Sequence, residues 1–337
     1  MIVVKVPLKI TLFGEYAVVF KKPAIAATLP VYMSFKVTSN NDGLLHVKSS
    51  ALLGKLYMVS IDRSSLKVIN SYVEETEVLK FLRYVLKALE LCEAEIRPGS
   101  KKGFYIEMES PVPAGVGLGT SAAVSVAVVS ACLATYTDST EVDRNLIARI
   151  AWRTEQEVQG AASPMDTYTI TFGGLRYIEP SVPFAEEIKT QQKLPVLVGY
   201  VPKKATTAEL VNDVKRKGAI VPEIFNAIMD TIGLIVNNAK QAILKNDLEM
   251  LGVLMNMNHG LLEALNVVSV EHSIIVKALR AVGALGAKTS GAGGGGAFVA
   301  LARSHSEIPM LSKVAEAFNA KVIASELGSS GVMVAIS

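Results

Sequence analysis

The stretch from Pro111 to Thr135, PVPAGVGLGTSAAVSVAVVSACLAT, narrows the folds open to this chain more than any other. Just upstream, Phe104-Tyr105-Ile106-Glu107-Met108-Glu109 alternates apolar with polar, which predicts a strand with one buried face. Pro111 and Pro113 stop it. Gly115, Gly117 and Gly119 follow, where a backbone can take positive φ and approach a ligand closely. Thr120 and Ser121 offer cap oxygens to a small-residue apolar helix expected to begin at Ala122. A glycine loop opening onto a helix N-terminus presents free N–H groups and the positive end of a dipole. The segment Pro113, Ala114, Gly115, Val116, Gly117, Leu118, Gly119, Thr120, Ser121 is therefore a candidate anion site, with phosphate the natural occupant.

Several loops bind phosphate this way. A Walker loop needs Gly-Lys-Ser/Thr at the helix start, and Gly119-Thr120-Ser121 has no lysine. A dinucleotide fingerprint needs a third glycine and an acid closing a second strand, but Asp138 sits past a helix end. A tight turn into a packed helix would account for the glycines alone. PVPAGVGLGTSAA also resembles the P-x-x-x-G-L-G-S-S-A-A loop of the GHMP kinases, a long and specific pattern. The resemblance implies that this loop holds the phosphates of ATP.

Composition limits the alternatives. A chain of 337 residues suggests two domains and can bury a large core, since half its residues are apolar and only 19% are charged. The formal charge of +3 is small and no lysine or arginine block is present, so nothing argues for nucleic acid or an anionic membrane as partner. Cys92 and Cys132 match no metal spacing; two buried thiols in a reducing cytosol is the economical reading, with a disulfide the alternative. The N-terminus carries Lys5, Lys9 and Glu15 and lacks a signal-peptide pattern. The apolar run from Ala122 to Ala134 is short and serine-punctuated for a bilayer span. A soluble, cytoplasmic protein is expected.

Along the chain, IVVKV, KITLF, IAATL, MSFKVTS and LLHVKS read as separate strands between Pro, Gly and Asn turns. Residues 73–93 show helical spacing with acids first, and 140–159 starts from a Thr140/Asp143 capping pattern and runs as an amphipathic helix. TYTITFGGLRYIE, rich in β-branched and aromatic residues, reads as strand, turn, strand. Pro180 to Lys193 reads as a link. Beyond it come a strand from Leu194, helices near 205–216, 222–244, 246–257 and 270–282, and the strand AFVALA. The helix 307–319 and the strands AKVIAS and GVMVAI close the chain, so that 190–337 alternates as an α+β sandwich. The expectation is an α+β chain of two units, 1–185 and 186–337.

A second glycine stretch, Lys288 to Gly296 (KTSGAGGGG), is hard to explain by packing, because glycine costs entropy and fills nothing. It resembles the third GHMP motif, which implies that Gly291, Ala292 and Gly293 approach the substrate and that both glycine loops serve one site between the two units. Residues 5–26 resemble the first motif. A lone lysine is usually a solvated surface residue, but Lys9, following Pro7-Leu8 near a strand start, would point toward the cleft. LFGEYAVV followed by KPAIA resembles the mevalonate kinase version, L-F-G-E-H-A-V-V-x-x-x-P-A-I-A, with Tyr16 in place of the usual histidine and Leu8 in place of the glycine before the lysine. Glu15 and Tyr16 would then contact substrate.

Glu155 and Asp166 form a candidate acidic pair, with Glu157 facing elsewhere on its helix. Glutamates on a helix are commonly solvated charges. Asp166 is less easily dismissed, because GAASPMDTYTITFGG is apolar and an unpaired charge there would be costly. The segment resembles the one that carries the catalytic aspartate in archaeal-type mevalonate kinases, and counting back along that pattern puts the magnesium ligand on Glu155. His259, among Met255, Met257 and leucines, reads as a satisfied structural histidine rather than a substrate contact, and His46, His272 and His305 share no metal spacing.

Together the resemblances imply a two-domain GHMP kinase fold with the ATP and substrate cleft between the domains. They imply transfer from Mg-ATP to the C5 hydroxyl of mevalonate, with Ser121 and Glu155 on Mg2+ and Asp166 and Lys9 catalytic. They leave room for a homodimer. Another small alcohol or phosphomevalonate as acceptor, an inactive ligand sensor of the same fold, and more remotely a dehydrogenase are the competing readings.

Overall fold

A computed structural model of the protein describes residues 1–50, 57–63, 68–71, 76–160, 162–181, 184–203 and 207–337. Two sheets organise them, nine-stranded and four-stranded among these residues.

The larger sheet grows around β1 (Ile2–Phe13) and β2 (Ala24–Asn40). Each merges two of the strands expected from sequence, because proline does not break them. The β1/β2 register shifts between Pro7 and Lys9, opposite the stretch holding Pro30, so a bulge absorbs what a proline cannot donate. β2 pairs next with β6 (Gly103–Glu109), which runs parallel to β3 (Leu44–Ser50); β4 (Tyr57–Asp62) and β5 (Val68–Ser71) complete that side. At its start β2 also pairs with β7 (Leu175–Glu179), which pairs with β8 (Phe184–Glu187).

Helices α1 (Thr76–Ile96), α2 (Thr120–Thr137), α3 (Arg144–Gln159) and α4 (Met165–Phe172) pack with this sheet. The expected start of α1 at 73–75 lies outside the described residues. α2 is apolar all round and enclosed, from Ala122 to Ala134. Each fully buried Val or Leu in it contributes about 1.5–3 kcal/mol. By length and composition this helix could cross a membrane, contrary to the expectation of too short a run, but 78% of it is buried inside the protein. Cys92 and Cys132 face each other across α1 and α2 as free, buried thiols, and burial pushes the Cys132 thiol up.

Asp143 is the N-cap of α3 itself, accepting from the Asn145 N–H at 2.8 Å, so the helix starts four residues later than its pattern suggested. A larger correction falls on TYTITF, which is α4 and not a strand. Pro164 stands at its N-cap and Gly173 (φ 73°) at its C-cap. Its threonines turn inward: Thr171 Oγ1 donates to the Thr167 carbonyl at 2.7 Å and Thr167 Oγ1 to that of Pro164 at 3.3 Å.

The smaller sheet runs β10 (Gly286–Thr289), β11 (Gly296–Leu301), β9 (Val196–Val201), β12 (Lys321–Ala324), all antiparallel. With it come α5 (Thr207–Ile220), α6 (Pro222–Leu244), α7 (Leu248–Ala264), α8 (Val270–Ala281) and α9 (Ile308–Ala317). Residues 205–206, where the first of these helices was expected to begin, lie outside the described residues. The last strand, β13 (Met333–Ile336), does not close this second unit as expected. It pairs antiparallel with β1, placing the chain's end on the first sheet.

Candidate active site

The bulge in β1 brings the site together. Lys9 lies mid-strand just past it, rather than at a strand start, and its N–H leaves the ladder to donate to the Leu118 carbonyl at 3.1 Å. The glycine loop is thus fastened directly to β1. Gly115, Gly117 and Gly119 all have positive φ. Gly119 (φ 75°) is the N-cap of α2, and a Cβ there would come within 2.9 Å of Lys9 Cγ, so the lysine stem passes through space that only glycine leaves. Thr120 and Ser121 are the first helical residues and not caps. Thr120 Oγ1 instead accepts from the Gly115 N–H at 3.3 Å and closes the loop on itself. The first N–H groups of α2 precede any intrahelical acceptor and remain available to an anion.

The second glycine stretch meets the first. Ser290 Oγ accepts from the Thr11 N–H at 3.0 Å and donates to the Thr11 carbonyl at 2.9 Å, locking the stretch after β10 onto β1. A Cβ on Gly117 would reach within 3.3 Å of the Ala297 nitrogen, so the two loops pass backbone against backbone. Gly291 and Ala292 line a cavity, whereas Gly293 packs at the Val267 carbonyl and is not among the lining residues.

That cavity, of about 120 Å³, is lined on its polar side by Lys9, Glu15, Glu155, Gln159, Ser163 and Asp166, and on its apolar side chiefly by Tyr16, Val18, Val19, Met165 and Val211. The loop 113–121 borders the cavity through Lys9 and Gly291 without lining it. The Lys9 ammonium is buried and lies 2.8 Å from Asp166 Oδ1; it pairs charge with that oxygen, while its aligned hydrogen bond goes to Thr11 Oγ1 at 3.0 Å. Asp166 stands in the first turn of α4, where the helix dipole favours an anion.

Glu155, on α3, faces Asp166 from the other side. Its Oε2 accepts from Gln159 Nε2 at 2.9 Å and from Ser121 Oγ at 3.4 Å, and its Oε1 is buried with no hydrogen-bond partner among the described residues. Burial, and secondarily the Asp166 charge, push its pKa up to about 8. Tyr16, itself at φ 61°, donates from its hydroxyl to the Ala292 carbonyl at 2.6 Å, so the residue standing for histidine ties the first motif to the third.

Glu15 is engaged by Lys288, a lysine the sequence did not single out. The two form a buried ion pair, and Lys288 Nζ also donates to the Thr289 carbonyl at 2.7 Å. Burial pulls the Lys288 pKa down while Glu15 pulls it back up. Lys203 passes beside Gly296, and burial together with the Lys9 charge lowers its pKa to about 8. Lys288 opens the second glycine stretch and Lys203 belongs to no motif; only the fold reveals the partner of the first and the burial of the second.

His259 is structural, as expected. Its Nδ1 accepts from the Thr289 N–H at 3.3 Å, and burial lowers its pKa to about 3 despite Glu263 Oε1 at 3.5 Å from Nε2. Burial likewise lowers the pKa of His272, whose ring sits between Thr289 Oγ1 and the Gly296 carbonyl.

A family model described as the GHMP kinases N terminal domain matches residues 83–174, and one described as GHMP kinases C terminal matches residues 239–321. The chain is 38% identical, over its whole length and 99% of the relative's, to a mevalonate kinase of Saccharolobus solfataricus. It is 36% identical to that of Thermococcus sibiricus, over 92% of each chain. Among solved structures, the Methanococcus jannaschii mevalonate kinase superposes with a TM-score of 0.78 at 26% identity, over 97% of this chain and 98% of that one. L. major mevalonate kinase in complex with R-mevalonate gives 0.75 at 27% identity, over 97% and 96%. The glycine loop, its lysine and the acidic pair therefore sit in a fold shared from end to end, and the chain belongs to the GHMP kinases, among their mevalonate kinases.

Proposed function

We propose that the protein transfers the γ-phosphoryl group of ATP to the C5 hydroxyl of mevalonate, giving 5-phosphomevalonate in the cytoplasm. Membership of a kinase family implies ATP use. The observation that carries the site assignment is the Lys9–Asp166 pair, 2.8 Å apart on the wall of a small cavity that also borders a helix-capped glycine loop. Phosphoryl transfer asks a protein mainly for positioning and for positive charge around the moving group.

Residues 113–121 would take the ATP phosphates on the loop's backbone and the start of α2. The donor set near them fits a small hard cation such as Mg2+: a buried carboxylate oxygen without a hydrogen-bond partner on Glu155, the Ser121 hydroxyl beside it, and a second carboxylate nearby. Among the described residues no three His, Cys, Asp or Glu side chains cluster to hold a metal alone, so phosphate oxygens and water would complete the shell. When bound, Mg2+ neutralises charge on the phosphate oxygens. Asp166 accepts the proton of the substrate hydroxyl or orients it, and Lys9, paired with Asp166, would face the transferring group with its positive charge. Glu15, Tyr16, Gly291 and Ala292 would contact the acceptor, with Gly293 supporting the turn behind them. A boundary at 185/186, between the expected units 1–185 and 186–337, would cut β8, which pairs with β7 in the first sheet, so the division is placed between β8 and β9, with β13 as a return strand.

Asp166→Ala is expected to lower kcat by about 10²–10⁴-fold, the usual worth of a positioned acid or base, with nucleotide affinity unchanged in equilibrium binding. An unaltered kcat would remove Asp166 from the mechanism.

A further inference from the structure

Gln159 belongs to no motif, yet it is the residue that fixes the Glu155 carboxylate. It follows Glu155 by one turn of α3, and its Nε2 donates to Glu155 Oε2 at 2.9 Å, a shorter contact than the 3.4 Å from Ser121 Oγ. The other carboxylate oxygen, Oε1, is buried and has no partner among the described residues. Both Glu155 and Gln159 line the cavity. From α1, the Tyr84 phenol lies beside both Gln159 and Ser121.

A carboxylate free to rotate would present either oxygen, or share both with neighbouring donors. Here two donors occupy Oε2, and the oxygen left over is the one a cation can take. We propose that Gln159 is a positioning residue for the divalent cation, holding Glu155 by Oε2 so that Oε1 is presented for coordination. The inference rests on the reading of Ser121 and Glu155 as the cation's residues. A plain helix-surface pair of this spacing would add little to stability and nothing to metal binding. A residue that orients a ligand typically changes metal affinity about 10–100-fold when removed.

The test is Mn2+ affinity by electron paramagnetic resonance on the full chain with a non-hydrolysable ATP analogue bound, so that turnover plays no part. Gln159→Met keeps the length and removes the donor; Gln159→His keeps a donor of similar reach. Gln159→Met is expected to weaken Mn2+ by about tenfold or more, with metal-free nucleotide affinity and melting midpoint unmoved, and Gln159→His to restore most of the loss. Wild-type Mn2+ affinity in Gln159→Met, with a large loss in Glu155→Gln, would overturn the role of Gln159 and leave the Glu155 assignment standing. Wild-type affinity in both variants would overturn the metal assignment and this inference with it. Equal loss in Gln159→Met and Gln159→His, together with a lowered melting midpoint, would reduce Gln159 to a structural contact and also overturn the inference.

Discussion

A buried ammonium needs a partner, and for Lys9 it is Asp166 on one side and Thr11 on the other. Replacing Lys9 by Met keeps the stem that passes Gly119 and removes only the charge. Its expected effect is a fall in kcat of about 10²–10³-fold, the worth of one fixed charge at a transition state, with little change in unfolding free energy; turnover near wild type would show that Asp166 acts without it. His259 makes a separate statement about pH. Its folded pKa of about 3 lies below the ordinary value of 6.5, so the unfolded chain binds the proton first as pH falls. Stability contributed by the neutral ring is full above about pH 6.5 and declines on acidification by up to about 1.4 kcal/mol per pH unit until pH 3. Urea unfolding of His259→Gln against wild type between pH 7 and 4 should show a flatter dependence in the variant, and parallel curves would contradict it. Lys9, Glu155 and Asp166 were legible because each sits in a motif or in an apolar segment where charge is costly. Gln159 and Lys203 were not, since a lone lysine or glutamine at the end of a helix or strand reads as solvated surface until the fold encloses it; Lys288 opens the second glycine stretch, but nothing in that stretch points to its pairing with Glu15.

At the scale of elements, local sequence signals agree with the structure wherever burial agrees with propensity and depart from it where it does not. α6 matches its expected bounds of 222–244 because its apolar stripe has helical spacing from end to end. TYTITF has the composition of a strand, but Pro164 at its start, Gly173 at its end and Asp166 in its first turn are helix punctuation. Packing against α2, α3 and β1 then decides between the two. The prolines of β1 and β2 misled for the opposite reason: a bulge accommodates them, and the same bulge frees the Lys9 N–H for the glycine loop. Gly119→Ala tests that junction. The left-handed backbone costs an alanine about 1–2 kcal/mol, and its Cβ would also press on Lys9 Cγ. Activity should therefore fall by more than the lost stability explains, through a displaced lysine, and a variant that loses stability while keeping kcat would contradict the contact.

Across the whole molecule, three ties hold the second glycine stretch to the first motif, residues 5–26: Ser290 to Thr11, Tyr16 to Ala292, and Lys288 to Glu15. The last is fully buried, so breaking it leaves an uncompensated charge. Lys288→Met is expected to cost about 3–5 kcal/mol in urea unfolding, and the double variant with Glu15→Gln much less than the sum of the two singles. Additive losses would mean that the two side chains act independently. The return of β13 to β1 was not legible, because a four-residue strand carries no signal of its partner. What the sequence did carry was the order of the glycine loops and acids, and with it the acceptor expected from the first motif. The decisive measurement is ADP release from Mg-ATP with mevalonate, phosphomevalonate, homoserine and galactose offered in turn to the full chain. Turnover with mevalonate alone is the expected result. Turnover with another acceptor instead would contradict the substrate assignment built on Glu15 and Tyr16, and silence on all four with ATP still bound would contradict the catalytic reading itself.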